Sequence, residues 1–356
     1  MDLDYSFNEK AIIIPRNYKI NFKKTKSITS HFAVIGIGTI VDDYPLLAEA
    51  SNEKGLAIAA LNFKNNATYY LEKEDKINLA PYELMLYLLA KCENVTQVKL
   101  ALNNINVIDV DFNDTVKNTP LHFMVSDLFH CIVIETLKDK MYVYDNPYNV
   151  LTNNPPFNYQ IHNLNNYMNL GVKDPINNFD SNLKFNTYSL GLGALHLPGD
   201  YSSSSRFVKT LFIKNNMEMF NNEFDNVKAF FNCLESVKMI KGIVITDKGY
   251  EYTRYTSCIN LNKSLLYYKT YDNPYINVID MYLEDIDSSK LIHHELITSF
   301  KISKQNMARF WWFLSKNKLI LLLVELIKCS SRAIYFSGGN SFTFLRFWKL
   351  TSRLIV

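Results

Sequence analysis

The sequence predicts an α+β protein in which a few helices cover stacked sheets. Three observations carry that expectation. Short apolar runs bounded by turn residues recur along the chain, and the helical segments are few and marked by capping signals. A composition of 48% hydrophobic and 21% charged residues over 356 positions supplies the core of one large domain. Many strands with a few helices pack most simply as helix layers over sheets. No internal repeat or long linker appears, so residues 1–304 read as one domain and residues 305–356 as a tail.

The elements follow in chain order. Residues 31–41 (HFAVIGIGTIV) and 55–63 (GLAIAALNF) are apolar runs of strand character. Pro81 stands at a first-turn position ahead of a helix over residues 82–92, rich in leucine. Asn94 and Gln97 have the spacing of a capping box before residues 98–102. Residues 121–127 pair with 131–137, and 141–145 with 149–153 around Asn146-Pro147. Ser204 or Ser205 is placed to cap a helix through Phe207, Leu211 and Phe212, and Asp225 to begin another through Phe230 and Leu234. Residues 252–261 and 264–271 read as a hairpin across Asn262-Lys263.

Charge divides the chain unevenly. Residues 1–304 carry 30 basic and 34 acidic residues, whereas residues 305–356 carry eight basic residues, one acidic residue (Glu325) and all three tryptophans. The five cysteines are scattered, odd in number and form no CxxC, which argues against a disulfide framework and a zinc site. Met1-Asp2-Leu3-Asp4 is acidic where a secretory leader is basic, so a cytoplasmic setting is expected. Gly36-Ile37-Gly38 and Gly191-Leu192-Gly193 lack the third glycine of a dinucleotide fingerprint. There is no phosphate loop, HExxH or GxSxG, and no cofactor, metal or nucleic-acid partner is expected. His130 and Cys131 are neighbours in a strand-like run, so their side chains point to opposite faces and form no dyad. All five thiols read as structural.

Asp2, Asn62, Asn153 and Arg206 are the clearest local signals, and on composition and spacing alone an ordinary structural explanation of each stands ahead of a catalytic one. Asp2 is a terminal acid, and Asn62 and Asn153 close apolar runs where Asn forms turns. Arg206, in the first turns of a helix, sits where the helix dipole mildly disfavours a cation.

A set of segments gives these residues a common meaning. Asp4-Tyr5-Ser6-Phe7-Asn8 with Ile12-Ile13-Ile14-Pro15-Arg16-Asn17, Gly36-Ile37-Gly38-Thr39 with Asp43-Tyr44-Pro45, and Asn52-Glu53-Lys54-Gly55-Leu56 leading to Leu61-Asn62-Phe63 come first. Pro120-Leu121-His122 with Ser126-Asp127, Val150-Leu151-Thr152-Asn153-Asn154-Pro155, Leu197-Pro198-Gly199-Asp200 with Ser205-Arg206-Phe207, and Tyr255-Thr256-Ser257-Cys258 before Tyr267-Tyr268 follow. In this order, over residues 1–285, they resemble the choloylglycine hydrolases, the family of bile salt hydrolases and penicillin V acylases. The resemblance implies the four-layer αββα sandwich of N-terminal nucleophile hydrolases and cleavage of a small-molecule amide, in a conjugated bile acid or an acyl amide. It implies a cysteine thiolate that attacks the carbonyl while its own α-amine acts as base, a group whose reference pKa of about 7.7–8.0 suits that task. Carried over residue by residue, Asp2 orients the nucleophile, Asn62 contributes to the oxyanion hole, Asn153 is a second active-site asparagine, and Arg206 anchors the cluster. A homotetramer is implied in the same way.

The chain departs from that pattern at both ends. Met1-Asp2 aligns with a hydrophobic residue and aspartate that follow the family's first strand, so that strand, its nucleophilic cysteine and the family's first active-site arginine are expected to be missing and the chain as given inactive. None of the five cysteines brings a free α-amine. The tail, with Phe310-Trp311-Trp312-Phe313, resembles nothing in the family, and membrane contact through it is the lesser of two readings beside translated sequence past a frameshift.

Overall fold

A computed structural model describes residues 1–303; the tail, with Trp311, Trp312, Trp348, Cys329 and the membrane-contact reading, lies outside the described residues. Two strands open the chain, β1 (Asp2–Leu3) and β2 (Lys10–Ile14). In β2 the side chains alternate between two cores. Ile12 and Ile14 join one and Ala11 and Ile13 the other, as the two-residue period of a strand requires. A strand apolar on both faces belongs inside a layered structure.

Next come β3 (Val34–Val41), β4 (Tyr44–Asn52) and β5 (Ala57–Asn62). The glycines at 36 and 38 serve strand contact, not a nucleotide. A Cβ on either would fall 2.2 Å from a carbonyl oxygen of β4, Glu49 O or Leu46 O, beside a register shift between Ile37 and Gly38. The short strand β6 (Ile77–Leu79) leads to helix α1 (Pro81–Lys91), where Pro81 occupies the first turn as expected and Glu83 accepts from Ala80 N at 2.8 Å. In α2 (Val95–Leu102) Asn94 caps the Gln97 amide at 3.0 Å. The Gln97 side chain returns to Glu93 N, one residue before the partner of a regular capping box. β7 (Ile105–Val107) pairs in parallel with β6.

β8 (Leu121–Ser126), β9 (Cys131–Thr136) and β10 (Met141–Asp145) follow as expected. Residues 149–153 are not the strand that their composition predicts. Asn149 takes φ 52° and Asn146 Nδ2 donates to Val150 O, so no ladder forms; Val150 and Leu151 are instead buried by side-chain packing with Met124 and Val133 of the sheet and with Phe157 and Phe207. Helix α3 (Phe157–Asn163), preceded by Pro155-Pro156, is an addition to the expected elements; its seven residues are too few to show a helical period. Helix α4 (Ser203–Asn216) is capped by Ser202, not Ser204 or Ser205, because Asp200 holds Ser202 N at 2.9 Å and Ser205 Oγ at 2.5 Å. Helix α5 (Glu223–Glu235) starts at an Asn222 cap, which takes the amide of Asp225.

β11 (Val244–Thr246), β12 (Gly249–Thr253), β13 (Tyr255–Asn260), β14 (Leu265–Thr270), β15 (Asn277–Asp280) and β16 (Ile292–Glu295) complete the fold. The expected strand over 252–261 divides at Arg254, since Tyr252 and Thr253 pair with β1 whereas β13 pairs with β14.

The architecture is the αββα sandwich of N-terminal nucleophile hydrolases. An antiparallel sheet of order β10-β9-β8-β5-β4-β3-β2-β16 forms one inner layer; β1-β12-β11 and β13-β14-β15 form the other. Helices α1 and α2 cover the first sheet through Leu84, Leu88, Leu89 and Val98. Phe231 and Val227 of α5 pack on Tyr267 of the second. Between the sheets, Ile13, Ile35 and Ile37 meet Tyr255, Leu266 and Tyr268. Burying such a side chain stabilises by about 1.5–3 kcal/mol, so this seam is a main source of stability.

One carboxylate bridges the seam. Glu49 of β4 accepts from Tyr255 Oη at 3.0 Å and Ser257 Oγ at 2.8 Å, and burial raises its pKa despite the nearby N-terminal ammonium and these two bonds. A carboxyl raised on folding favours the folded state most when protonated, and that contribution is lost as pH climbs through its folded value. Glu49→Gln keeps an acceptor and removes the charge. It is expected to melt about 1–3 °C above the parent at pH 7 and level with it at pH 4, as read by calorimetry; an equal offset at both pH values contradicts a raised Glu49.

Candidate active site

The four residues expected to form the site come from four places in the chain and meet at one. Asp2 lies on β1, opposite Thr253 of β12. Asn62 is the last residue of β5, on the edge facing Leu121 of β8. Asn153 sits in the irregular segment between β10 and α3, and Arg206 on the first turns of α4.

Arg206 is the hub. It is 6% exposed, so its position near a helix start is not the solvated one that local pattern favours. Its Nη2 donates to Asn153 Oδ1 at 2.8 Å, its Nε to the Tyr201 carbonyl at 3.2 Å, and its Nη1 stands 3.7 Å from Asp2 Oδ2. A planar guanidinium serves three directions at once where an ammonium offers only a point charge.

From Arg206 the polar chain runs both ways. Asn153 Nδ2 donates to the backbone carbonyl of Asn62 at 2.9 Å, fixing the end of β5. Asn154 adds a bond to Lys64 O at 2.5 Å. In the other direction Thr253 Oγ1 donates to Asp2 Oδ1 at 2.5 Å and accepts from Met239 N at 2.9 Å, so the threonine hydroxyl is oriented before it meets the carboxylate. Neither Thr253 nor the Tyr201 carbonyl carries a local signal, since a threonine in a strand and a backbone oxygen are ordinary features.

The Asn62 side chain is exposed and its amide bonds to no described residue, leaving two N–H donors for a ligand. Glu251, two residues before Thr253, has its pKa raised by burial and by Asp2, against the lowering effect of Arg206. The cluster therefore holds one guanidinium among carboxylates and asparagine amides, a setting that binds and polarises a neutral carbonyl next to an anion. Among the described residues no group of three or more His, Cys, Asp or Glu side chains could hold a metal ion. No helix among them is long and apolar enough to cross a membrane.

The thiols are elsewhere in character. Cys92, Cys131 and Cys233 are buried, and burial pushes Cys92 and Cys233 to about 11 and the half-buried Cys258 to about 12. Such groups stay protonated near neutrality, and only the thiolate attacks.

Comparison with known proteins places this geometry. The sequence profile of the linear amide C–N hydrolases, choloylglycine hydrolase family, matches residues 1–294. A bile salt hydrolase/transferase of Lactiplantibacillus plantarum is 43% identical over 296 residues, 83% of this chain and 91% of that protein. A bile salt hydrolase/transferase of Clostridium perfringens is 38% identical over 312 residues, 86% of this chain and 94% of that protein. The crystal structure of an arginine-to-leucine variant of conjugated bile acid hydrolase from Clostridium perfringens superposes with a TM-score of 0.79 at 38% identity, covering 86% of this chain and 94% of that one. Penicillin V acylase from Agrobacterium tumefaciens shares the fold, with a TM-score of 0.65 at 19% identity, over 83% of this chain and 86% of that one.

Removing the hub leaves Asp2 and Asn153 without their buried partner. Arg206→Ala is expected to cost about 2–4 kcal/mol of stability, and Arg206→Lys about half as much, because lysine restores charge without the fork. Urea unfolding checks both; equal stability of Arg206→Ala and parent contradicts the hub.

Proposed function

The chain belongs to the choloylglycine hydrolase family of linear amide C–N hydrolases, and from that membership we propose that its Arg206-centred cluster serves hydrolysis of the amide bond in glycine- and taurine-conjugated bile salts. The observation that carries the reading is the continuous path Asp2–Arg206–Asn153–Asn62, ending in an unpaired Asn62 amide. In this reading the Asn62 side chain donates to the substrate carbonyl, more strongly as that oxygen becomes an oxyanion. Asn153 holds Asn62 in place, Arg206 holds Asn153, and Asp2, braced by Thr253, orients the attacking group. Relatives named for bile salts stand at about twice the identity of the penicillin V acylase, which favours the steroid amide over the phenoxyacetyl amide.

The same reading has a second part. Burial holds Cys92, Cys233 and Cys258 protonated near neutrality, so in this reading the described residues supply the binding and positioning side of the site and are assigned no turnover by themselves. Scattered free thiols support a reducing compartment, the cytoplasm. A homotetramer is also proposed. Residues 168–195 present Met168, Ile176, Phe179, Tyr188 and Leu190 to solvent, each at least 79% exposed, a surface that association would cover; sedimentation velocity reporting a monomer contradicts it.

Glycine release from glycocholate and taurine release from taurocholate test the whole reading. The chain as given is expected to release neither. The same chain with a cysteine-bearing strand joined ahead of Met1 is expected to release both, and Asn62→Ala in that form to lose about 10²–10³-fold in kcat. Release by the chain as given overturns the assigned silence; release by neither form overturns the substrate.

A further inference from the structure

Directly behind the site lies a polar pair that the chemistry above does not use. His122 of β8 and Glu135 of β9 are both 0% exposed, with His122 Nδ1 3.1 Å from Glu135 Oε1. Two such groups in a core are costly unless their polar atoms are fully paired and hydrogen-bonded. His122 Nε2 and Glu135 Oε2 have no hydrogen-bond partner among the described residues, which makes bulk stability a poor explanation for the pair.

What the pair touches gives it a purpose. The His122 ring stacks on Phe63 with centroids 4.2 Å apart and planes at 5°, and Phe63 follows Asn62 directly. The residue opposite His122 in the sheet is Leu61, which precedes Asn62. On the other side, Glu135 Oε1 accepts from the backbone amide of Phe157 at 3.0 Å, at the first residue of α3. Only Asn154, Pro155 and Pro156 separate Phe157 from Asn153, and the two prolines fix their own φ, so little slack remains between that grip and Asn153. Phe157 also meets Phe207, the neighbour of Arg206, with centroids 6.4 Å apart.

We propose that His122 and Glu135 are positioning residues: a buried strut that sets the separation of Asn62 and Asn153 from below, while the Asn153–Asn62 and Asn154–Lys64 bonds close it from above. The inference rests on reading those asparagines as the carbonyl-holding residues. The strut acts through Phe63 and Phe157 and touches no substrate.

Hydrogen exchange at the Asn153 side-chain amide, assigned by the resonances lost in Asn153→Ala, tests the strut in the full chain without any ligand. Glu135→Leu keeps the volume and removes the acceptor; exchange at Asn153 is expected to quicken roughly tenfold as its bond to Asn62 O loosens. Glu135→Gln retains an oxygen acceptor and is expected to restore exchange to within about twofold of the parent. Glu223→Gln, in the cluster with Asn260, Lys263 and Tyr267, serves as a control that alters a distant polar hub and leaves Asn153 unmoved. Unchanged Asn153 exchange in Glu135→Leu, or an equal change in Glu223→Gln, overturns the proposal. Should Glu135→Leu fail to fold, His122→Phe decides in its place, since it keeps the ring on Phe63 and loses the nitrogen; unaltered exchange there overturns the strut as well. Titration of glycocholate separates the two levels. Affinity lost in Asn153→Ala, and no further lost when Glu135→Leu is added, supports strut and substrate together. Exchange that responds with glycocholate affinity that does not keeps the strut and removes the bile-salt reading.

Discussion

A guanidinium taken out of water must be met on every side, and Arg206 meets that demand with groups from three separate parts of the chain: Asp2, Asn153 and the Tyr201 carbonyl. Desolvating such a cation without partners costs several kcal/mol. The strand β1, the segment before α3 and the start of α4 are therefore held to one arrangement. The same bonds that satisfy the arginine align the polar chain toward Asn62. Folding and site assembly are one event here.

The layers prepare that meeting. β5 carries Asn62 out of the centre of the eight-stranded sheet, where β4 and β8 flank it. The glycines at 36 and 38 let β3 and β4 approach closely enough to keep that sheet continuous. From the other layer, β12 presents Thr253 to Asp2, and α4 begins where Ser202 caps it, so that Arg206 falls on the buried side beside Ser205 and Phe207. Thr152, Gln160 and Ser203 share hydrogen bonds that dock the Asn153 segment onto the first turn of α4. Under the proposed function this rigidity has a use, because an oxyanion donor acts only if it is already in place.

How much of this could be read beforehand differs by level. The long two-faced strand β3 was legible because Ile35 and Ile37 leave no polar alternation and its boundaries carry turn residues, whereas the five residues of β2 offered too short a run. Helices α1 and α2 were legible from Pro81 and Asn94. The segment at 149–153 reads as a strand because Val150, Leu151 and Thr152 have β character, yet Val150 and Leu151 are buried by packing between the β8–β9 face and helices α3 and α4, without ladder pairing. Helix α3, at seven residues, is too short for a period to show. The short, half-exposed strands β11, β15 and β16 gave no continuous apolar run. For the site, Asp2, Asn62, Asn153 and Arg206 are locally unremarkable, and only resemblance picked them out; their bonds are all tertiary. Thr253, His122 and Glu135 stayed hidden because what distinguishes each is its partner across the fold, which no spacing in the sequence encodes.

The most direct test is a crystal structure of the chain with glycocholate bound. The account expects the amide carbonyl oxygen within hydrogen-bonding distance, about 2.7–3.2 Å, of Asn62 Nδ2, with the Arg206–Asn153–Asn62 bonds intact. A conjugate bound with its amide away from Asn62, or an Asn153 that has released both Arg206 and Asn62, contradicts it.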